Sequence, residues 1–348
     1  MATRRINVGT VPVGGGAPVS IQSMTNTRTQ DVPATVEQIR RLEQAGCDIV
    51  RVAVPDIEAA KSIRAIKDAV RLPVVADIHF DYRLALAAAE AGADKIRINP
   101  GNIGGEKNVR AVADACRAAG IPIRIGINGG SLEKPLLAKY GGVTAEAMVE
   151  SAAAQAGMLE RFGFSDICIS LKASDVRTTV AANRLAAARM DYPIHIGLTE
   201  AGAGDSALMK AASAVGALLI DGIGDTVRIS LTDDPVREVE TARRLLRVLG
   251  LRGGVNIIAC PTCGRTQIDL MGLYRQVEEG LAGLDRDVTV AVMGCAVNGP
   301  GEAAEADFGV AGGTDWGILF KKGREVARLP ESELARALIA LVSEDRDG

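Results

Sequence analysis

A chain of 348 residues with 47% hydrophobic content can bury a sizeable core and is long enough for two domains. Its 40 Lys and Arg stand against 43 Asp and Glu, a net charge of -3 that gives no bulk attraction to nucleic acid. The opening MATRRINVGTVPVGGG lacks a signal-peptide core, and no later stretch is an unbroken apolar run of about twenty residues, so a cytoplasmic protein without a membrane span is expected.

From residue 19 to about residue 250 one unit recurs: a short apolar strand, a polar turn, then an Ala-rich amphipathic helix often ending in Gly. The strand candidates are VSIQSMT (19–25), DIVRVAVP (48–55), PVVADIHF (73–80) and DKIRINPGN (94–102). They continue with PIRIGING (122–129), DICISLKASD (166–175), YPIHIGLTEAG (192–202) and TVRISLT (226–232). Helical patterns such as VEQIRRLEQAG, VRAVADACRAAG and PVREVETARRLLRVLG separate them. Eight alternating β/α units predict an α/β fold, a TIM (β/α)8 barrel, with an open doubly wound sheet as the alternative.

Residues two or four apart on a strand share a face. By that rule Asp77 and His79, Arg97 and Asn99, Arg124 and Asn128, Ser170 and Lys172, His195 and Thr199, and Arg228 and Ser230 pair up, with Ile, Val or Leu mainly between them. The apolar set faces the helices and the polar set faces the barrel axis or its mouth. Arg51 fits the same scheme. Any one of these arginines can be a structural lumen residue paired with a carboxylate. Five cations from five strands (Arg51, Arg97, Arg124, Lys172, Arg228) meet only Asp77 and Glu200 as acidic partners in those segments, so the excess calls for an anion. One such charge pair is worth about 4 kcal/mol at roughly 4 Å and an effective dielectric near 20, before desolvation. Phosphate or diphosphate is the class that suits Arg forks and a Lys point charge together. Glu200, at a predicted strand end, reads either as a proton donor or as a counter-charge. His79 and His195 carry no specific signature.

Beyond Gly250 the rhythm changes. VNIIAC, DVTVAVMGC, ADFGVAGG and GILFKKGREVARL read as strands, and DLMGLYRQVEEGL and ESELARALIALVSE as helices, giving domains at 1–250 and 251–348. Lys321, Lys322 and Arg324 make a basic run that suits an acidic electron carrier, although a solvated charge run explains it as well. Six cysteines in a reducing compartment are poor disulfide candidates. Cys47, Cys116 and Cys168 fall in core-like positions, whereas Cys260-Pro-Thr-Cys263-Gly-Arg and Gly294-Cys295-Ala-Val-Asn298-Gly-Pro-Gly-Glu302 sit in Gly/Pro-rich turns. Three thiols and a carboxylate are an odd closed zinc site. An iron–sulfur cluster on three Cys fits better, because one iron then keeps a replaceable oxygen ligand; structural zinc and a redox dithiol stay open on spacing alone.

Nearly end to end, through SIQSMTNTRTQD, DIVRVAVP, VADIHFDYR, RINPGNIG, IPIRIGINGGSLEK, SLKASD, GLTEAG, DGIGDTVRISL, CPTCGR and GCAVNGPGE, the sequence resembles the 4-hydroxy-3-methylbut-2-enyl diphosphate synthase family in its two-domain bacterial form. The resemblance implies a [4Fe–4S] cluster on Cys260, Cys263 and Cys295 with Glu302 as fourth ligand, in a small α/β domain like the C-terminal part of sulfite reductases. It implies reductive ring opening and dehydration of 2-C-methyl-D-erythritol 2,4-cyclodiphosphate, held by Arg51, Arg97, Arg124, Lys172 and Arg228 with Asn128, Thr199 and Ser230. Glu200 matches the acid of the dehydration. Electrons from flavodoxin or ferredoxin, and a homodimer in which each cluster domain caps the partner's barrel, are implied too. Two rivals to that reading are a phosphate-binding barrel enzyme of dihydropteroate-synthase type with a structural zinc knuckle, and a non-catalytic iron–sulfur carrier.

Overall fold

The computed structural model describes residues 3–99, 101–284, 286–296, 301, 303 and 305–345, and the chain divides into two compact units, Met1–Leu249 and Gly250–Gly348. The first unit opens with an antiparallel hairpin of β1 (Ile6–Val8) and β2 (Val11–Val13). Eight parallel strands follow: β3 (Ser20–Met24), β4 (Ile49–Ala53), β5 (Val74–Asp77), β6 (Lys95–Ile98), β7 (Ile123–Asn128), β8 (Ile167–Lys172), β9 (His195–Ile196) and β10 (Thr226–Val227). Their order is β8-β7-β6-β5-β4-β3-β10-β9, and a parallel bridge between Ile169 and Ile194, with Ile169 N–H donating to the Pro193 carbonyl at 2.9 Å, joins the last strand to the first. That closure makes a barrel and rules out the open doubly wound sheet.

Helices α1 (Val32–Ala45), α2 (Ile57–Ala69), α3 (Tyr82–Glu90), α4 (Glu106–Ala119), α5 (Lys134–Tyr140), α6 (Ala145–Arg161), α7 (Val176–Arg189), α8 (Gly204–Ile220) and α9 (Pro235–Val248) alternate with the strands, α5 being extra. Asp31, Asp56, Asp81, Asp175 and Asp234 accept a backbone N–H from the first turn of α1, α2, α3, α7 and α9. A carboxylate at that position satisfies an orphan amide and is worth about 0.5–2 kcal/mol per helix. It also fixes the end of each of those βα loops at the face where barrel sites are built. Strand residues Val50, Val52, Ile96, Ile98, Ile123, Ile125, Ile167 and Ile169 pack outward against buried helix residues such as Ile39, Ile63, Val112 and Leu159.

Like α5, the hairpin is a barrel element that the repeat does not announce, since INV and VPV are too short to show a period. Ile6, Val8 and Val13 are buried with Ile49, Val75 and Cys168, so the hairpin plugs the N-terminal end of the lumen. Burying each such side chain contributes about 1.5–3 kcal/mol.

The second unit is a five-stranded sheet in sequence order: β11 (Val255–Ala259), β12 (Val288–Met293), β13 (Phe308–Gly313), β14 (Trp316–Lys321) and β15 (Arg324–Pro330). The first three strands run parallel and the last two antiparallel. What reads in the sequence as one strand, GILFKKGREVARL, folds as the β14–β15 hairpin, turning at Lys322 (φ 47) and Gly323 (φ 72). Helices α10 (Leu270–Gly280) and α11 (Glu331–Glu344) cover one face through Leu273, Val277, Leu334 and Leu338 against Val290, Val292 and Val310.

Candidate functional site

The barrel's C-terminal mouth opens into a small pocket lined by Arg51, Arg97, Arg124, Asn128, Ser170, Lys172, Leu198, Thr199, Arg228 and Ser230. All eight residues expected to hold the anion line it. Strand alternation explains the convergence, because each cation stands at a lumen-facing position one residue from an outward-facing Ile, Val or Leu. Register sets neighbours side by side: Asp77 opposite Arg97, Arg97 opposite Arg124, and Asn128 opposite Lys172.

Two glycines make the space. A Cβ on Gly126 would stand 2.5 Å from Arg97 Nε, and one on Gly197 would stand 2.8 Å from Lys172 Nζ and 2.5 Å from the Arg228 carbonyl oxygen. Only a residue without a side chain lets those cations lie flat across the lumen.

Charge in this lumen is unbalanced. Asp77 is fully buried and takes Arg97 Nη1 at 3.1 Å, Arg51 Nη2 at 3.3 Å and His79 Nε2 at 3.2 Å. Burial works against its carboxylate, but Arg51, His79 and Arg97 more than offset that and hold its pKa well below the usual carboxylate range. Arg228 lies 3.4 Å from Glu238, which also accepts from Ser23 Oγ and Leu231 N–H. Glu238 comes from α9, outside the strand segments, so strand parity could not supply it. Met24 Sδ accepts from Arg51 Nε at 3.2 Å and Arg228 Nη1 at 3.8 Å.

Among the described residues no carboxylate forms an ion pair with Arg124, Lys172 or Lys95. Arg124 is 1% exposed and its Nε and Nη2 have no hydrogen-bond partner. Burial, then the neighbouring cations, push both Arg124 and Lys172 well below their ordinary values, and burial lowers Arg51 to about 10 despite Asp77. Lys172 Nζ stands 3.3 Å from His195 Nε2, and burial with Arg124 and Lys172 nearby keeps the His195 imidazole neutral. Buried donors without acceptors are expensive, so the arrangement suits an anionic ligand rich in oxygen acceptors.

Two sequence expectations need amendment, and one lumen cation was missed. Glu200 is exposed, holds a left-handed backbone (φ 56) and does not line the pocket, although Thr199 beside it does. Beside Asp77, the second acid that balances an arginine here is Glu238. Lys95, which parity with Arg97 could have flagged, is a further lumen cation, fully buried below the pocket.

In the second unit, Cys260 and Cys295 follow the C-terminal ends of the adjacent parallel strands β11 and β12. The Gly294 N–H donates to Cys260 Sγ at 3.2 Å, which brings the approach to Cys295 against the first thiol. Cys260 is partly buried, Cys263 exposed and Cys295 buried. Hydrogen bonds from Arg265 lower the Cys263 thiol from its ordinary value. Amide donors to sulfur and a depressed thiol are the chemistry of thiolate ligands, so the donor set fits an iron–sulfur centre. No three His, Cys, Asp or Glu among the described residues stand close enough to hold a metal ion, and Glu302 and Asn298 lie outside those residues. Lys321 and Arg324 are paired across β14 and β15 at the end of the sheet opposite the cysteines, and Lys321 pairs with Asp345. That position removes the geometric case for a carrier docking on the basic run.

The sequence matches the GcpE TIM-barrel domain over residues 3–243 and the GcpE protein C-terminal domain over residues 256–344. A 4-hydroxy-3-methylbut-2-en-1-yl diphosphate synthase (flavodoxin) from Geobacter sulfurreducens is 58% identical over 341 residues, covering 98% of this chain and 97% of the relative. One of the same name from Caldanaerobacter subterraneus subsp. tengcongensis is 56% identical, covering 97% and 95%. Among solved structures, the Yersinia pestis dihydropteroate synthase superposes with a TM-score of 0.51 at 9% identity, over 71% of this chain and 98% of that one, a likeness of fold alone.

Proposed function

This chain belongs to the GcpE family, and on that premise we propose that the cationic barrel lumen binds the substrate's diphosphate while the second unit carries the redox centre. The protein is an oxidoreductase of the non-mevalonate isoprenoid pathway. It converts 2-C-methyl-D-erythritol 2,4-cyclodiphosphate to 4-hydroxy-3-methylbut-2-enyl diphosphate, adding two electrons, opening the cyclic diphosphate and releasing the C3 hydroxyl as water. The observation that carries the pocket assignment is the lumen's unpaired positive charge, above all the partnerless Arg124 donors. A dihydropteroate-synthase-type enzyme is not favoured, since the resemblance to such barrels stops at the fold.

Arg124 and Lys172 bind the diphosphate directly, and Arg51, Arg97 and Arg228, already steadied by Asp77 and Glu238, complete the cradle. Asn128, Thr199 and Ser230 orient it by neutral hydrogen bonds at the mouth. Once the anion fills the pocket, water is displaced, the buried guanidiniums gain acceptors, and the depressed Lys172 amine is favoured in its charged form. Glu200, next to Thr199, is the proton donor to the departing hydroxyl in this reading, delivering from the rim. A [4Fe–4S] cluster on Cys260, Cys263 and Cys295, with Glu302 as the oxygen ligand, would supply the two low-potential electrons one at a time. Reduced flavodoxin is the donor taken here, because the relatives' names specify it.

A cytoplasmic setting belongs to the same reading: all six cysteines are free, as in a reducing compartment, and no helix of the described residues is long and apolar enough to cross a membrane. So does a homodimer whose cluster units serve the partner's barrel. Exchange of subunits between a Glu200→Ala and a Cys295→Ala chain would then restore activity, and none would return if each site belonged to one chain. The direct test of the function is iron and acid-labile sulfide analysis on protein purified without oxygen, followed by turnover of the cyclodiphosphate with reduced flavodoxin. Zinc in place of iron, or iron without turnover, would refute it.

A further inference from the structure

Lys95 has no role in the cradle, yet it is a fully buried cation without a hydrogen-bond partner. It sits two residues before Arg97 on β6, with Val75 as register partner where Arg97 has Asp77, so it faces the lumen one layer below the pocket. It is 0% exposed and its Nζ has no hydrogen-bond partner. The β1–β2 plug, packed on Val75 and Cys168, closes the end through which a lysine would otherwise reach water.

The groups that act on it are Arg51 from β4, Arg124 from β7, Cys168 from β8 and His195 from β9, with Asp77 on β5 and Arg97 on its own strand one layer above. Asp77 is already taken by Arg51 and Arg97, and the Cys168 thiol is itself pushed up by burial. A buried ammonium with no counter-charge destabilises a fold, and a methionine would fill the same volume without that cost. Packing therefore gives no reason for a lysine here.

We propose that Lys95 is a positioning residue for the anion site: the docking diphosphate draws a proton onto its buried amine, and the resulting charge strengthens the hold of Arg124 and its neighbours on the ligand. The inference rests on the pocket being the diphosphate site. Burial, then Arg124 and Arg51, lower Lys95 to about 8 from 10.5, with Cys168 opposing. An anion above it favours the charged form and raises that value again. Proton uptake on binding is thus greatest above about pH 8, and affinity falls as pH rises through that window. Lys172, also depressed, contributes in parallel, so removing Lys95 takes away part of the effect and leaves part.

The test is calorimetric titration of the full-length, cluster-loaded protein with inorganic pyrophosphate, at pH 7 to 9.5 in two buffers of unlike ionisation enthalpy, for the parent, Lys95→Met and Lys95→Arg. Lys95→Met should bind about tenfold more weakly at pH 7, because one buried positive charge beneath the ligand is gone. It should take up fewer protons and depend less on pH, and its barrel should melt several degrees higher because an uncompensated charge is gone. Lys95→Arg should recover affinity without recovering proton uptake, since a guanidinium stays charged. Unchanged affinity and uptake in Lys95→Met, or a lower melting temperature with unchanged uptake, would overturn the inference while leaving the pocket intact. A parent that fails to bind pyrophosphate would overturn both.

Discussion

The barrel unit and the C-terminal unit hold their reactive side chains in opposite ways. In the barrel, nearly every pocket residue stands on a strand or within three residues of its end, and Asp77, Glu238 and Met24 fix the arginines in place. In the C-terminal unit the thiols lie on turns that follow β11 and β12, from buried Cys295 to exposed Cys263. On the proposed function the first is an electrostatic cradle, whose cost in buried charge the diphosphate offsets. The second, on the same reading, is a set of loops whose final arrangement would be coupled to the group they hold. Substitution should therefore act differently in the two units.

The largest effect belongs to the thiols. Cys260→Ala or Cys295→Ala should lose iron, sulfide and turnover by more than about 10³-fold, whereas Cys116→Ala, buried in the barrel wall, should keep all three; anaerobic metal analysis and assay read this. Next come the cations without carboxylate partners. Arg124→Met or Lys172→Met should weaken diphosphate binding by about 2–5 kcal/mol with iron content unchanged, measured by calorimetry, and loss of iron in either would break the division of labour. A smaller loss is expected from Gly197→Ala, whose methyl would crowd Lys172 Nζ: about tenfold in affinity and 1–3 kcal/mol in stability, read by titration and thermal melting. Smallest of all, Lys322→Glu or Arg324→Glu, at the end of the sheet away from the thiols, should leave flavodoxin-driven turnover within about twofold; a tenfold fall would return the carrier to that hairpin.

The same contrast governs what the sequence discloses. Period-two alternation put Arg51, Arg97, Arg124, Lys172 and Arg228 on one face, and parallel register then leaves little freedom in where they meet. Alternation says nothing about side chains arriving from helices, which is why Glu238 was not foreseen, or about where a strand-end loop turns, which is why the exposure of Glu200 was not legible. The β1–β2 plug stayed hidden because three-residue strands show no period, and with it the sealed setting of Lys95. The cysteine spacing points to a metal centre but fixes no sulfur-to-sulfur geometry, because Pro and Gly turns have no periodic rule.

The most direct test of the separation is pyrophosphate binding to the Cys295→Ala chain, followed by calorimetry beside the parent. If the barrel lumen alone holds the diphosphate, the affinity stays within about threefold of the parent although the cluster is gone. Binding lost together with the iron would contradict the account and place the anion's principal contacts in the C-terminal unit.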